Sequence, residues 1–191
     1  MGKQAKVLNA KDTKRVLQFI SANKHAARNR AIFMCSFLGG MRACEIASLH
    51  VIDAVDNDGS VRNEIYLSPI ATKGRTGRYV FVSSKLKQEI QRYIVAVPPT
   101  HSHNKLFYSQ KGAIAGFSPN TITQLFGQIY KAVGIDSASS HSGRRTFLTA
   151  LAEKGVNVRV IMQLAGHRSM STTQRYIETS PEMLRRALEL V

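Results

Sequence analysis

The sequence predicts a mainly helical α+β domain with a small antiparallel β-sheet at one edge. Three observations point there. Apolar residues recur at helical spacing over most of the chain. One region, NEIYLSP (63–69) and RYVFVSS (78–84), alternates or carries β-formers. No low-complexity linker or internal repeat divides the 191 residues, so 1–191 is read as one domain, and an apolar fraction of 43% is enough for a folded core.

The elements follow in order. Asn9 and Asp12 form a capping-box pattern and open a helix carrying Val16, Leu17 and Ile20. A strongly apolar helix spans about 27–38 and stops at Gly39-Gly40. MRACEIASL (41–49) gives a short helix with Ile46 and Leu49 inward. A third strand is expected near 50–55, before the turn signal DNDG (56–59) and the hairpin, whose tip is TKGRTG (72–77). Helix returns at about 85–95 and stops before Pro98-Pro99. Ser118 and Pro119 supply N-cap and N1 for a helix to about Lys131, closed by Gly134. From His141 onward, three or four helices are separated by Gly155, Gly166 and Pro181.

Charge narrows the function. The chain has 27 Lys+Arg against 12 Asp+Glu, a net +15, where solubility needs roughly 2–8. The excess is spread along the chain, so the positive surface is built on the fold and faces a polyanion, nucleic acid first. A membrane partner is disfavoured, because no basic amphipathic helix shows a clear aromatic face. No apolar run approaches the roughly 20 residues of a membrane span, and the N-terminus lacks an apolar signal region. Cys35 and Cys44, without a CxxC, read as free thiols in a reducing compartment, so a cytoplasmic location is expected. His101 and His103 lack a third ligand nearby and read as loop residues; no metal and no cofactor is expected.

Four groups carry candidate chemistry. Arg42 and Glu45 are i,i+3 and close enough to pair, leaving part of the arginine fork for a phosphate or for nothing more than a surface ion pair. TKGRTGR (72–78) has no P-loop spacing; it reads as a solvated basic turn or as a flexible carrier of Lys73, with Arg75 and Arg78 on backbone phosphates. In HSGRRTFLTAL (141–151), His141 and Arg144 share a face and Arg145 points elsewhere; a helix start with a histidine and an arginine suits an anion, or simply a cap and a surface arginine. In LAGHRSMSTTQRYI (164–177), His167 precedes Tyr176, and the run between them also reads as a helix cap. A tyrosine with its ordinary pKa near 10 needs a base or positive charge to act as a nucleophile.

Taken together and in this order, the groups resemble the tyrosine recombinase (phage integrase) family over about residues 8–180. LGGMRACEIASL resembles the first arginine box, which implies Arg42 as a catalytic arginine supported by Glu45; the hairpin implies Lys73 as the active-site lysine. HSGRRTF resembles the His-x-x-Arg box, giving His141 and Arg144, and LAGHRSMSTTQRYI resembles the last box, giving His167 and the nucleophile Tyr176. Gly143 departs from the leucine usual before that box's arginine, which implies a looser helix start. The first arginine box begins within the first fifty residues, so the layout resembles short members without the N-terminal clamp domain, or else a truncated piece of a longer protein, although Met1 suggests a natural start.

The resemblance implies site-specific cleavage and rejoining of double-stranded DNA through a 3′-phosphotyrosyl intermediate, without metal or ATP. Arg42, Arg144 and His167 would serve as donors to the phosphate, Lys73 as general acid, and His141 as base or donor. Arg75, Arg78, Arg145, Arg168 and Arg175 are further candidates for DNA contacts. His167 and Tyr176 are expected on different helices, turned toward one phosphate by the short run between them. Self-association as a tetramer on DNA and accessory DNA-bending proteins are the implied partners. The tail carries an apolar stripe, Met183, Ala187 and Val191 beside Leu184 and Leu188, which either docks on a neighbouring protomer or folds back on its own core. Two alternatives stand beside it: a non-catalytic DNA-binding regulator with the same basic surface, and a type IB topoisomerase-like enzyme that shares the chemistry but relaxes DNA.

Overall fold

Six consecutive buried residues, Ala31 to Ser36, dictate the architecture, because a helix apolar on every side has to be covered on every side. The computed structural model describes residues 4–69, 77–98, 104–109, 116–177, 184–185 and 188–189. In chain order the elements are α1 (Ala10–Ser21), α2 (Ala26–Gly39), α3 (Ala43–Ser48), α4 (Val51–Ala54), β1 (Glu64–Leu67), β2 (Arg78–Phe81), α5 (Ser84–Ala96), α6 (Pro119–Ala132), α7 (Ser142–Glu153), α8 (Val158–Ala165) and α9 (Met170–Gln174). Helix α2 is the central one; α5, α7 and α1 pack around it, and α6 packs against α3.

The helix starts follow local chemistry. The Asn9 side chain accepts from the Asp12 amide at 2.8 Å, and the Asp12 carboxylate accepts from the Asn9 amide in return. Ser83 and Ser118 cap α5 and α6, and Pro119 opens α6. Val16 and Ile20 of α1, Leu86, Ile90 and Tyr93 of α5, and Ile122, Phe126 and Tyr130 of α6 are each at most 2% exposed and fill one large core. Each such side chain contributes about 1.5–3 kcal/mol by its burial.

The sheet is smaller than expected. Among the described residues it has two strands, with Ile65 opposite Val80 and Leu67 opposite Arg78 on the buried face, and Tyr66 opposite Tyr79 on the exposed one. The third strand expected near 50–55 is replaced by the helical turn α4. Asp53 accepts from the His50 amide at 2.9 Å and caps that turn, leaving two isolated bridges at its ends, His50 with Lys105 and Val55 with Val61.

A second, smaller apolar cluster joins α7 to α8 through Leu148, Ala152, Ile161 and Ala165, with Phe147, Tyr176 and Ile177 against it. The two clusters meet along α2 and α7. Gly143 permits that meeting: a Cβ there would lie 2.7 Å from Ser36 Oγ and 3.2 Å from the Phe37 amide. The glycine therefore tightens the start of α7 against α2, where a looser start was expected. In the tail, Leu184 and Leu188 are 58% and 75% exposed; Met183, Ala187 and Val191 lie outside the described residues, as do His101 and His103. Among the described residues no helix is long and apolar enough to cross a membrane.

Candidate active site

The site lies on the seam between the two clusters and is built around Glu45. Helix α2 ends at Gly40, whose φ of +60° turns the chain sharply; a side chain there would also strike the Phe147 ring, 2.6 Å from the new Cβ. The turn delivers Arg42 as the N-cap of α3 and Glu45 into its first turn. Glu45 is fully buried. Its carboxylate accepts from the Arg42 amide (2.8 Å), Arg42 Nη1 (2.9 Å), Arg78 Nε (3.0 Å) and Arg78 Nη2 (2.8 Å). Burial pushes its pKa up; the hydrogen bonds and charge of Arg78, then the amide and charge of Arg42, outweigh burial and hold it below the usual carboxylate range.

The other wall comes from α7, α8 and α9. Arg144 is 2% exposed; its Nη1 donates to the Gly40 carbonyl and its Nη2 to the Ala165 carbonyl, both at 2.5 Å. Nη2 also meets His167 Nε2 at 3.0 Å. Burial, then repulsion from Arg42, lowers the Arg144 pKa, yet a guanidinium stays protonated at neutral pH. His167 Nδ1 lies 2.9 Å from Thr173 Oγ1, and its ring stacks on Tyr176 with centroids 5.6 Å apart and planes at 19°. Burial first, then Arg144, Arg42 and Arg78, push the His167 pKa down to about 4, against a smaller opposing pull from Glu45, so the ring is neutral at neutral pH.

Beside Tyr176 opens a cavity of about 340 Å³, lined by His141, Arg145, Thr172 and Arg175 among others. His141 is exposed at the N-cap of α7, while Arg144 lies buried beneath it. Arg145, expected to point elsewhere, turns into this cavity. Arg168 is exposed. Lys73 and Arg75 lie outside the described residues.

The structure thus brings together Arg42, Glu45, Arg144, His167 and Tyr176, and sets His141, Arg145 and Arg175 around the same tyrosine. Arg78 is a correction. Its side chain is 8% exposed, and beyond its two bonds to Glu45 its Nη1 donates to the Leu164 carbonyl at 2.8 Å, so it braces the site from within instead of reaching DNA. Strand parity carries that signal, since Arg78 shares the buried face with Val80. His167 and Tyr176 differ in detail: each sits just past the end of its helix, α8 or α9. The buried hydroxyl of Thr173 has no distinguishing mark in the sequence, because it stands in a hydroxyl-rich run that reads as a cap.

Three of the charges acting on His167 are arginine and one is glutamate, a local excess that favours an anion next to the tyrosine ring. Among the described residues no group of three or more His, Cys, Asp or Glu could hold a metal ion.

Comparison with known proteins agrees in kind. The model of the phage integrase family matches residues 6–183. Tyrosine recombinase XerA of Pyrococcus horikoshii is 30% identical over 165 residues, covering 85% of this chain and 54% of that protein. A crystal structure of XerA recombinase superposes with a TM-score of 0.78 at 24% identity, covering all of this chain and 66% of that one. The Tn1549 transposon integrase, in complex with transposon right end DNA, gives 0.74 at 19% identity, covering 100% and 67%. The chain spans about half the length of the first of these relatives. With a two-stranded, mainly helical fold and a family match running from the first helix to beyond Tyr176, the chain belongs to the phage integrase family, the tyrosine recombinases, and carries its catalytic-domain fold.

Proposed function

We propose that this chain is a site-specific DNA recombinase that cleaves and rejoins double-stranded DNA through Tyr176, with residues 1–191 acting as one catalytic unit. The observation that carries the reading is the His167 ring, stacked on Tyr176 and joined to the buried fork of Arg144. Nothing in a phosphate grip alone calls for a tyrosine ring at that place.

Tyr176 Oη attacks a phosphodiester in line. The phenol gives up its proton, to His141 if that residue is the base and otherwise to water, the P–O bond to the 5′-oxygen breaks, a 3′-phosphotyrosyl bond forms, and the 5′-oxygen takes a proton. A 5′-hydroxyl of a partner strand then attacks the phosphotyrosyl phosphorus and releases the tyrosine. The bond energy is conserved, so the exchange proceeds without metal or ATP. Arg42 and Arg144 stabilise charge on the non-bridging oxygens, and such fixed donors usually lower the barrier of these reactions more than any other group does. Lys73 supplies the leaving-group proton, His141 serves as base or donor, and Glu45 orients Arg42. Arg145, Arg168, Arg175 and Arg75 take neighbouring phosphates. The protein works on DNA as a self-associated tetramer, assisted by DNA-bending proteins, in the cytoplasm. The DNA held by the Tn1549 integrase supports the choice of partner.

The test is a nicked suicide substrate carrying the native site. Wild-type protein should form a covalent DNA adduct, and Tyr176→Phe should form none while binding DNA nearly as well. An adduct that survives in Tyr176→Phe would remove the assignment.

A further inference from the structure

We propose that Thr173 is a positioning residue: its buried hydroxyl oxygen fixes the His167 ring with the proton on Nδ1, so that the Nε2 lone pair holds the Arg144 guanidinium in the anion site. A guanidinium has five N–H donors and no acceptor. At 3.0 Å from Arg144 Nη2, His167 Nε2 must therefore accept. In a neutral imidazole the proton then sits on Nδ1, which lies 2.9 Å from Thr173 Oγ1, and that oxygen accepts it.

Thr173 is suited to this work. It is fully buried, so no water competes for the ring nitrogen from its side. Its carbonyl also accepts from the Tyr176 amide at 2.9 Å, so one residue holds both the histidine ring and the backbone of the tyrosine. Its neighbour Thr172 lines the cavity instead. The groups that act electrostatically on the ring are Arg144 from α7, Arg42 and Glu45 around α3, and Arg78 from β2, with Tyr176 stacked on its face. Three of these are cationic and keep the ring neutral, so the choice between tautomers is the one that matters at neutral pH. The opposite tautomer would set an Nε2–H against an Arg144 N–H, donor facing donor, and would turn the guanidinium away.

The part His167 plays changes accordingly. In the DNA-free protein it offers Arg144 a lone pair, where the family resemblance implies a donor to the phosphate. In that state it acts on the anion site through Arg144, adding a third partner to the two carbonyls that hold it.

The activity arm of the test rests on the recombinase reading above; the spectroscopic arm does not. The full chain is labelled with ¹⁵N-histidine and examined at neutral pH without DNA, with His167 assigned by its loss in His167→Gln. The Nδ1–H pattern is expected in wild type and in Thr173→Ser, and a mixed or Nε2–H pattern in the isosteric Thr173→Val. A wild-type proton on Nε2, or an unchanged pattern in Thr173→Val, overturns the proposal. The wild-type spectrum decides by itself should Thr173→Val fail to fold. On the nicked substrate, Thr173→Val should slow single-turnover cleavage on the order of tenfold or more, with Thr173→Ser restoring most of the rate. Cleavage by Thr173→Val at the wild-type rate overturns the positioning role. If wild type itself cleaves nothing, the recombinase reading fails, and the spectra still decide the role of Thr173.

Discussion

Replacing Glu45 by glutamine should lower the stability of the fold by about 3–5 kcal/mol. The magnitude follows from the contacts. The carboxylate accepts four hydrogen bonds at 2.8–3.0 Å, three of them from guanidiniums. A glutamine amide keeps the shape but has one acceptor oxygen, and its NH2 would face N–H groups. Two of the four bonds are lost, each worth about 1.5–3 kcal/mol because a charge is involved. Arg78, with its side chain 8% exposed, also loses its counter-ion. Relief of the carboxylate's own desolvation offsets part of the loss. Urea unfolding followed by circular dichroism measures the difference, and the melting temperature should fall by roughly 2–4 °C per kcal/mol for a chain of this size. The pH dependence has a fixed sign. The folded-state pKa of Glu45 is depressed, so the stability it contributes is fully present above the unfolded value, about 4.3. That contribution is lost as pH falls through the folded value. The gap between wild type and Glu45→Gln should therefore be constant near neutrality and close in acid. A neutral-pH loss below about 1 kcal/mol would refute the claim that the carboxylate holds the two arginines.

Three further outcomes are expected. Gly40→Ala should cost about 2–4 kcal/mol in a thermal or urea melt, because it adds left-handed strain at φ +60° to a 2.6 Å clash with Phe147; a melt like that of wild type would show that the turn can relax. The depressed His167 pKa, about 4 against an ordinary 6.5, makes the unfolded chain the better proton binder between those values, so stability should fall as pH drops across that window, and His167→Gln should flatten the slope. The logarithm of the DNA affinity should fall linearly with log salt, with a slope equivalent to several phosphates, given the net charge of +15; a flat response would point to another partner.

Legibility in the sequence tracks distance along the chain. Asn9 with Asp12, and Ser118 with Pro119, are caps made by residues at most three positions apart, and both helices begin where those residues place them. The fold class and the family are legible because mainly helical periodicity and ordered motifs survive in one dimension. Helix α4 is harder: the His50–Asp53 cap wins over β-formers in a stretch of only four residues. Gly143 reads as weakness in the sequence because its neighbour in space, Ser36, lies on another helix. Arg78 reads as a DNA contact because Glu45 is 33 positions away and Leu164 is 86. Of the candidate site, residue identities are readable, whereas the carbonyls of Gly40, Leu164 and Ala165 are backbone groups and leave no mark in a sequence at all.

Those carbonyls have a mechanical consequence. Leu164 and Ala165, consecutive at the C-terminal end of α8, each take a different arginine, Arg78 and Arg144, at the end where a helix favours cations. The rise of one helix end thus works as a gauge block, offering the two guanidiniums acceptors one fixed backbone step apart. The oxygen acceptors of these arginines, on Gly40, Glu45, Leu164 and Ala165, all precede residue 167 in the chain, and His167 adds a ring nitrogen to Arg144. Tyr176 follows it, and meets the set through the face of one imidazole. A hinge placed after Thr173 would swing the tyrosine toward or away from a phosphate while the arginines, with His167 and its Thr173 partner, stayed in calibration. The fold separates the part that must be aimed from the part that must not move.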